Sequence, residues 1–350
     1  MAPRRPTMQD VAREAGVSTA TVSRVFAGLK GSTSRETEER VRTVASRLGY
    51  VVNAVAASLR VQYTHSVGLI LADISNPFFS RLASGVENAL SAAGYGVLLG
   101  NSGNTVEEEK RLLRLMSEKQ VDAVILASSA GTGEHIREAI GRGLKIILVD
   151  SELPDVETDV VAIDNRLAAE TAVDHLLDLG HRDIAIVSGP IEASFDRQRL
   201  EGYETAFRRR GLTPPADLML KADSTYEGGR AAVTALLDTG LVPTAFFASN
   251  NMMTIGTLAA LHDAALAIPE TVSVVGFDDL EWYAIFNPRI TAVAQPAYAI
   301  GRAAAERLLQ RIAADEPLPP ERFLLETELI VRDSTRPLRT VPDGTPDLKR

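Results

Sequence analysis

Between residues 67 and 279 the chain alternates short apolar runs with longer amphipathic segments, and it does so in two series. VGLILA (67–72), YGVLLG, VDAVILA, KIILVD (145–150) and VVAID (160–164) read as strands. Residues 78–93, 106 to about 119, and EHIREAIGRG have helical period between them. The second series runs through helix 167–179, strand IAIVSG (184–189), helices 197–210 and 226–237, strand TAFFAS, helix 250–264 and strand VSVVGFDD (272–279). Few folds accept this order, because parallel strands need a crossover segment and helices both supply it and cover the sheet faces. The pattern predicts an α/β body of two lobes, each a parallel sheet flanked by helices, with a cleft between them. A chain of 350 residues is too long for a single core, which agrees. The body is expected over 62–333. Lobe 1 takes about 62–163 and 293–322, and lobe 2 about 164–292 and 323–333. From Ser334 the chain holds three prolines and no apolar periodicity, so 334–350 is expected to be disordered.

Residues 1–52 read differently, as a small all-α domain. Met8–Ala15 is expected to be helical, with Thr7 as N-cap and Asp10 at the positive end of the helix dipole. Gly16 and Val17 make a turn, glycine because it can take a positive φ. Ser18 caps a second helix whose Val22 and Val25 can face Val11 and Ala15. Thr19, Ala20, Thr21, Ser23 and Arg24 are left small or polar on its open side, a shape that fits a DNA major groove. Charge agrees: residues 1–60 carry ten Lys and Arg against five Asp and Glu, while the whole chain carries 37 against 46. A basic head (+5) therefore sits on an acidic body (27 against 41, or −14), which suits a DNA reader whose body stays off the phosphates. Asn53 then heads AVAASL, far shorter than the ~12–15 residues a lone helix needs. Residues 53–61 are thus expected to be a hinge that folds only against a partner.

Other classes find little support. There are no cysteines, which excludes disulfides and thiolate metal sites. His65, His135, His175, His181 and His262 show no i, i+4 metal spacing, and no cofactor is expected. No G-x-S-x-G, G-x-G-x-x-G or Walker A sequence occurs, which argues against an enzyme carrying a DNA-binding appendage. MAPRRPTMQD lacks an apolar signal core and no run approaches 18 apolar residues, so a cytoplasmic protein is expected rather than an exported sugar binder or a membrane protein.

DVAREAGVSTATVSRVF, LGYVVNAVAASLR, SVGLILADISNPFF, RLEGYETAF, SNNMMTIGTLAAL, SVVGFDD and ITAVAQP, in that order, resemble the lactose repressor (LacI/GalR) family of bacterial transcription regulators over residues 7 to about 333. The resemblance implies a homodimer, a two-lobed core like the ribose-binding proteins, and operator binding controlled by a small molecule. It places Thr19 and Ala20 at base edges and Thr21, Ser23 and Arg24 at bases or phosphates, with Thr7 and Ser18 beside them. Thr21 and Ser23 equally suit capping or solvation. In the hinge it puts Asn53, Ala56 and Leu59 in the minor groove, where Leu59 matches a leucine that wedges a central base step. Packing in a linker is the alternative for Leu59. Val52 stands where the family usually has proline, which implies a looser hinge.

The strand-end positions of open α/β sheets bind ligands, so polar residues there carry most weight. ISNPFF (74–79) offers Ile74, the Asn76 amide and two flat rings, Phe78 and Phe79, suited to sugar CH faces. Arg199, Asn250, Asp278 and Gln295 complete a set similar to the ribose-binder pocket; Ser128 and Ser129 stand where ribose binders carry an acidic residue after the third strand, Ser224 where an aromatic is common, and Asp150 ends a strand facing the cleft. Arg199 and Asp278 also suit a structural ion pair, Phe78 a core position, and Asp150 and Asp164 either ligand contact or capping. The implied ligand is a sugar or related polyol. A nucleoside or other small metabolite is the alternative.

Overall fold

The computed structural model describes residues 6–26, 33–50 and 63–338, and these form two compact units divided after Thr64. The expected hinge residues Asn53, Ala56 and Leu59, with Val52, lie outside the described residues.

The first unit holds α1 (Met8–Ala15), α2 (Thr19–Phe26) and α3 (Arg35–Leu48). Thr7 and Asp10 form a reciprocal capping box at the start of α1, and Gly16 ends it at φ 66°. The Ser34 side chain caps α3. Val11, Val22 and Val41 are fully buried at the meeting point of the three helices, with Ala15, Val25, Val44 and Ala45 around them. Small β-branched residues let these short helices approach closely, and the polar side of α2 is left outside.

The second unit has two lobes. Lobe 1 contains β1 (Ser66–Leu71), α4 (Pro77–Ala92), β2 (Gly96–Asn101), α5 (Val106–Glu118), β3 (Ala123–Leu126), α6 (Glu134–Gly141), β4 (Ile146–Val149) and β5 (Asp159–Ile163). Lobe 2 contains α7 (Asn165–Asp178), β6 (Ile184–Ser188), α8 (Ser194–Arg209), β7 (Met219–Lys221), α9 (Tyr226–Asp238), β8 (Ala245–Ala248), α10 (Asn251–Asp263), β9 (Ser273–Phe277) and β10 (Thr291–Ala294). The chain then returns to lobe 1 as α11 (Ala297–Ala313) and β11 (Arg322–Leu325), and ends in lobe 2 with β12 (Glu328–Ile330). Among the described residues each lobe has a six-stranded sheet, ordered β11-β5-β4-β3-β1-β2 and β12-β10-β9-β8-β6-β7. Only the β10–β12 pairing is antiparallel among the described strand pairs. Helices cover both faces, as parallel strands buried on both sides require. α4 packs on α11 so closely that a Cβ on Gly301 would overlap the Leu82 carbonyl.

Two boundaries differ from expectation. β10 belongs to lobe 2 and β11 pairs with β5 in lobe 1, so the second and third crossings follow Ala294 and Leu325, not residues 292 and 322. The run FLLETELI passes from one sheet to the other without Gly or Pro to mark the place. The tail is also shorter than expected. Ser334 is fully buried and its carbonyl accepts Val274 N–H at 2.8 Å, while Leu338 N–H donates to the Leu179 carbonyl at 2.8 Å. These backbone bonds, which no side-chain period announces, hold 334–338 against lobe 2. Residues 339–350 lie outside the described residues.

Candidate functional site

On α2, Thr19, Ala20 and Arg24 are exposed, while Thr21 and Ser23 are half-buried. Ser18 Oγ accepts Thr21 N–H at 3.1 Å and lies 2.9 Å from Thr21 Oγ1. Arg24 Nε donates to the Ala20 carbonyl at 3.3 Å. Thr7 is held by Asp10 in its capping box. This side of the helix therefore presents the Ala20 methyl, the hydroxyls of Ser18, Thr19, Thr21 and Ser23, and one guanidinium.

In the second unit the strand ends of both lobes converge on a small cavity of about 40 Å³. It is lined by Asn76, Phe78, Phe79, Asp150, Arg199, Ser224, Asn250, Asp278 and Gln295 from the expected set. Asn76 caps α4 by accepting Phe78 N–H at 2.9 Å, and its Oδ1 also accepts Asn251 Nδ2 from the other lobe at 2.7 Å. Phe78 and Phe79 meet edge to face with centroids 5.1 Å apart. Asn250 caps α10 and donates Nδ2 to the Ser224 carbonyl at 3.1 Å. Arg199 extends from α8, donating Nε to Asn165 Oδ1 at 2.8 Å and Nη1 to the Ser249 carbonyl at 2.6 Å. Its guanidinium lies 3.9 Å from the centre of the Phe277 ring. Among the described residues Arg199 makes no ion pair, and its charge acts on Asp278 without a direct hydrogen bond. Gln295 Nε2 instead donates to Asp278 Oδ1 at 2.5 Å.

Asp150, Ser224 and Asp278 all have left-handed backbones, at φ 65°, 65° and 64°. Such conformations are uncommon away from glycine and tend to gather at ligand sites. Here each turns a strand-end side chain toward the cavity.

Two expected residues are elsewhere. Ser128 is buried and donates to Glu109 Oε2 at 2.8 Å. Glu109 is a fully buried carboxylate that also receives Ser129 N–H at 3.0 Å and lies 2.9 Å from His135 Nε2. A buried carboxylate needs such donors, and Ser128 serves it rather than the cleft. Ile74 is 46% exposed in the turn before α4, where its N–H donates to Asn101 Oδ1. Asp164 caps α7 by accepting Leu167 N–H. Asp73, Asn104 and Phe195 line the cavity and were not expected. Asp73 and Asn104 follow β1 and β2, so the strand-end rule could have found them. Phe195 stands one helical turn before Arg199.

Residues 7–53 match the model of bacterial regulatory proteins, lacI family. Residues 64–329 match that of periplasmic binding proteins and sugar binding domain of LacI family. The chain belongs to the LacI family. Catabolite control protein A of Priestia megaterium is 36% identical over 331 residues, 94% of this chain and 99% of that protein. A solved transcriptional regulator CelR–cellobiose complex matches at 32% identity and TM-score 0.72, covering 94% of this chain and all of the other. The lac repressor dimer bound to operator and the anti-inducer ONPF matches at 25% identity and TM-score 0.85, covering 95% and 100%.

In this LacI-family core Asp150 and Asp278 line the cleft as buried carboxylates, with Asp196 buried behind Ser224. Burial pushes Asp150 up to about 7, against the pull of Arg199 and with help from Asp278 and Asp196. Burial likewise pushes Asp196 up to about 6, although Arg199 and hydrogen bonds from Ser224, Gly189 and Ser249 oppose it. Asp278 is raised by burial too, against Arg199 and its bonds from Gln295 and Asn251. The low dielectric that raises these groups also strengthens any hydrogen bond a bound molecule makes to them. The cavity is small beside the roughly 300–1,000 Å³ typical of ligand pockets, and the lobes are bridged by Asn76–Asn251, by Glu152 N–H to Ser194 Oγ at 2.9 Å and by Arg81–Glu281 at 3.0 Å. This is a closed cleft.

Proposed function

We propose that this LacI-family member is a cytoplasmic, non-enzymatic repressor that binds a palindromic operator as a homodimer, with its affinity set by a sugar or related polyol in the cleft. The convergence of Asn76, Phe78, Phe79, Asp150, Arg199, Ser224, Asn250, Asp278 and Gln295 on one cavity carries this reading. Flat rings stack on CH faces while amides, carboxylates and a guanidinium bond hydroxyls. Thr19 and Ala20 touch thymine methyls, and Arg24 holds a guanine or phosphate, with Ser18, Thr21, Ser23 and Thr7 along the backbone. The paired hinge residues Asn53, Ala56 and Leu59 enter the minor groove. Half-sites read by two such small helices call for two-fold symmetry. On lobe 2, Trp282, Phe286, Ile255 and Leu258 line an apolar groove beside Ile285, which is 84% exposed, and this offers a second copy a surface.

A sugar needs more room than the closed cleft provides, so the lobes must part to admit it and close around it. That motion alters the spacing of the paired hinges. A panel of pentoses, hexoses, disaccharides, polyols and nucleosides in a thermal-shift screen tests the reading. At least one compound should raise the melting temperature and also change affinity for an operator selected from random DNA by about 5–150-fold. A compound that stabilises the core yet leaves operator affinity unchanged would contradict it.

A further inference from the structure

Three carboxylates and one guanidinium are enclosed around the cleft. Asp196 is fully buried, Arg199 3% exposed, Asp150 6% and Asp278 7%. Asp196 is satisfied by Ser224 Oγ at 2.9 Å, Ser249 Oγ at 3.5 Å and the Gly189 N–H. Asp278 receives Gln295 Nε2 and the Asn251 N–H. Asp150 differs. Its Oδ1 is buried with no donor in reach, as is Gln295 Oε1. Both residues line the cavity, and both unmatched atoms are acceptors. Arg199 directs its Nε and Nη1 to Asn165 and Ser249, and it makes no hydrogen bond to either of these two acceptors.

We propose that Asp150 selects the effector by charge: its unpartnered oxygen is reserved for a donor on the ligand, so the cleft takes neutral or amine-bearing polyols and refuses phosphorylated or carboxylated ones. This rests on the cleft being the effector site. As these groups ionise, three carboxylates outnumber the one guanidinium in a region of low dielectric, with Asp73 at its edge. A ligand phosphate would add like charge where screening is weakest. A hydroxyl or ammonium supplies what Asp150 and Gln295 lack.

Selection by a donor also couples binding to a proton. Asp150 is raised to about 7 by burial, with Asp278 and Asp196 adding to the effect and Arg199 opposing it. Near neutral pH Asp150 in the free cleft is therefore poised between its protonated and ionised forms. A donating ligand favours the ionised form and expels that proton. Affinity should then rise about tenfold between pH 6 and pH 8.

Two measurements on the full-length protein and Asp150→Asn test this. The first needs no ligand. A carboxyl whose folded-state pKa lies above its unfolded value loses its stabilising contribution as pH rises toward the folded value. D150N should therefore melt above wild type at pH 8, with the gap narrowing as pH falls to 5. A variant that melts below wild type at pH 8 would make Asp150 a structural group and overturn the proposal. The second is isothermal titration with D-glucose, D-glucosamine and D-glucose 6-phosphate, and with D-ribose and D-ribose 5-phosphate, at pH 6 and 8 in buffers of differing ionisation enthalpy. In any set that binds, the phosphate should bind at least tenfold more weakly than its parent. Proton release should accompany binding to wild type and vanish in D150N. A phosphate that binds as well as its parent overturns the proposal. If no sugar binds, the effector reading fails for these sugars, and the melting comparison still decides the state of Asp150.

Discussion

Arg24 bears the single guanidinium on the open side of α2, exposed and, among the described residues, tethered to the Ala20 carbonyl. Thr19 and Ala20 cannot make a bidentate bond to a base, so the proposed DNA reading places much of the head's grip on this residue. Arg24→Ala should lower operator affinity by about tenfold or more in a fluorescence-anisotropy titration, with the melting temperature unchanged. Affinity within about twofold of wild type would remove Arg24 from the interface. At this scale the sequence was legible where a rule ties position to role. Asn76, Asp150, Asn250 and Asp278 follow strands, and strand ends face the cleft. Ser128 follows a strand as well, yet it serves Glu109, which lies 19 residues earlier on α5. Nothing local to Ser128 announces that demand. Asp196 shows the same limit: its burial depends on Ser224 and Ser249 from two other loops.

Thr7 is the cap its position announces, and Asp164 takes the capping one of its two expected roles. Ser34, Asn76 and Asn250 also cap the helices they precede, which the apolar pattern does not mark. Packing between elements was harder to foresee. The reading of residues 293–322 gave lobe 1 a segment without naming α11, whose contact with α4 depends on Gly85 and Gly301. A Cβ at either would strike backbone rather than a movable side chain, so Gly301→Ala should destabilise the core by about 2 kcal/mol or more. Urea unfolding followed by circular dichroism reads this directly, and a wild-type midpoint would mean the helices can separate at no cost. The third lobe crossing was misplaced for a related reason. β11 and β12 share one apolar run, and only the partner strands decide where it divides.

Across the whole molecule, a basic reader is joined to an acidic two-lobed core through residues 51–62. The core's closed cleft is bridged directly by Asn76–Asn251 and Glu152–Ser194, which lets the lobes hold together around a small cavity. In the proposed reading an entering ligand parts these bonds and replaces them, which would give it different interaction energies with an open and a closed form. Differential affinity is what any effector needs in order to shift an equilibrium. Arg199 stands at the centre of this arrangement, holding Asn165 and Ser249 while facing the acidic cavity. The most direct test measures operator affinity by anisotropy with and without the polyol that gives the largest thermal shift, in wild type and in Arg199→Ala. Wild-type affinity should change about 5–150-fold on adding ligand, and the variant should bind operator but no longer respond. An unresponsive wild type, or an equal response in the variant, would contradict control of DNA binding from this cleft.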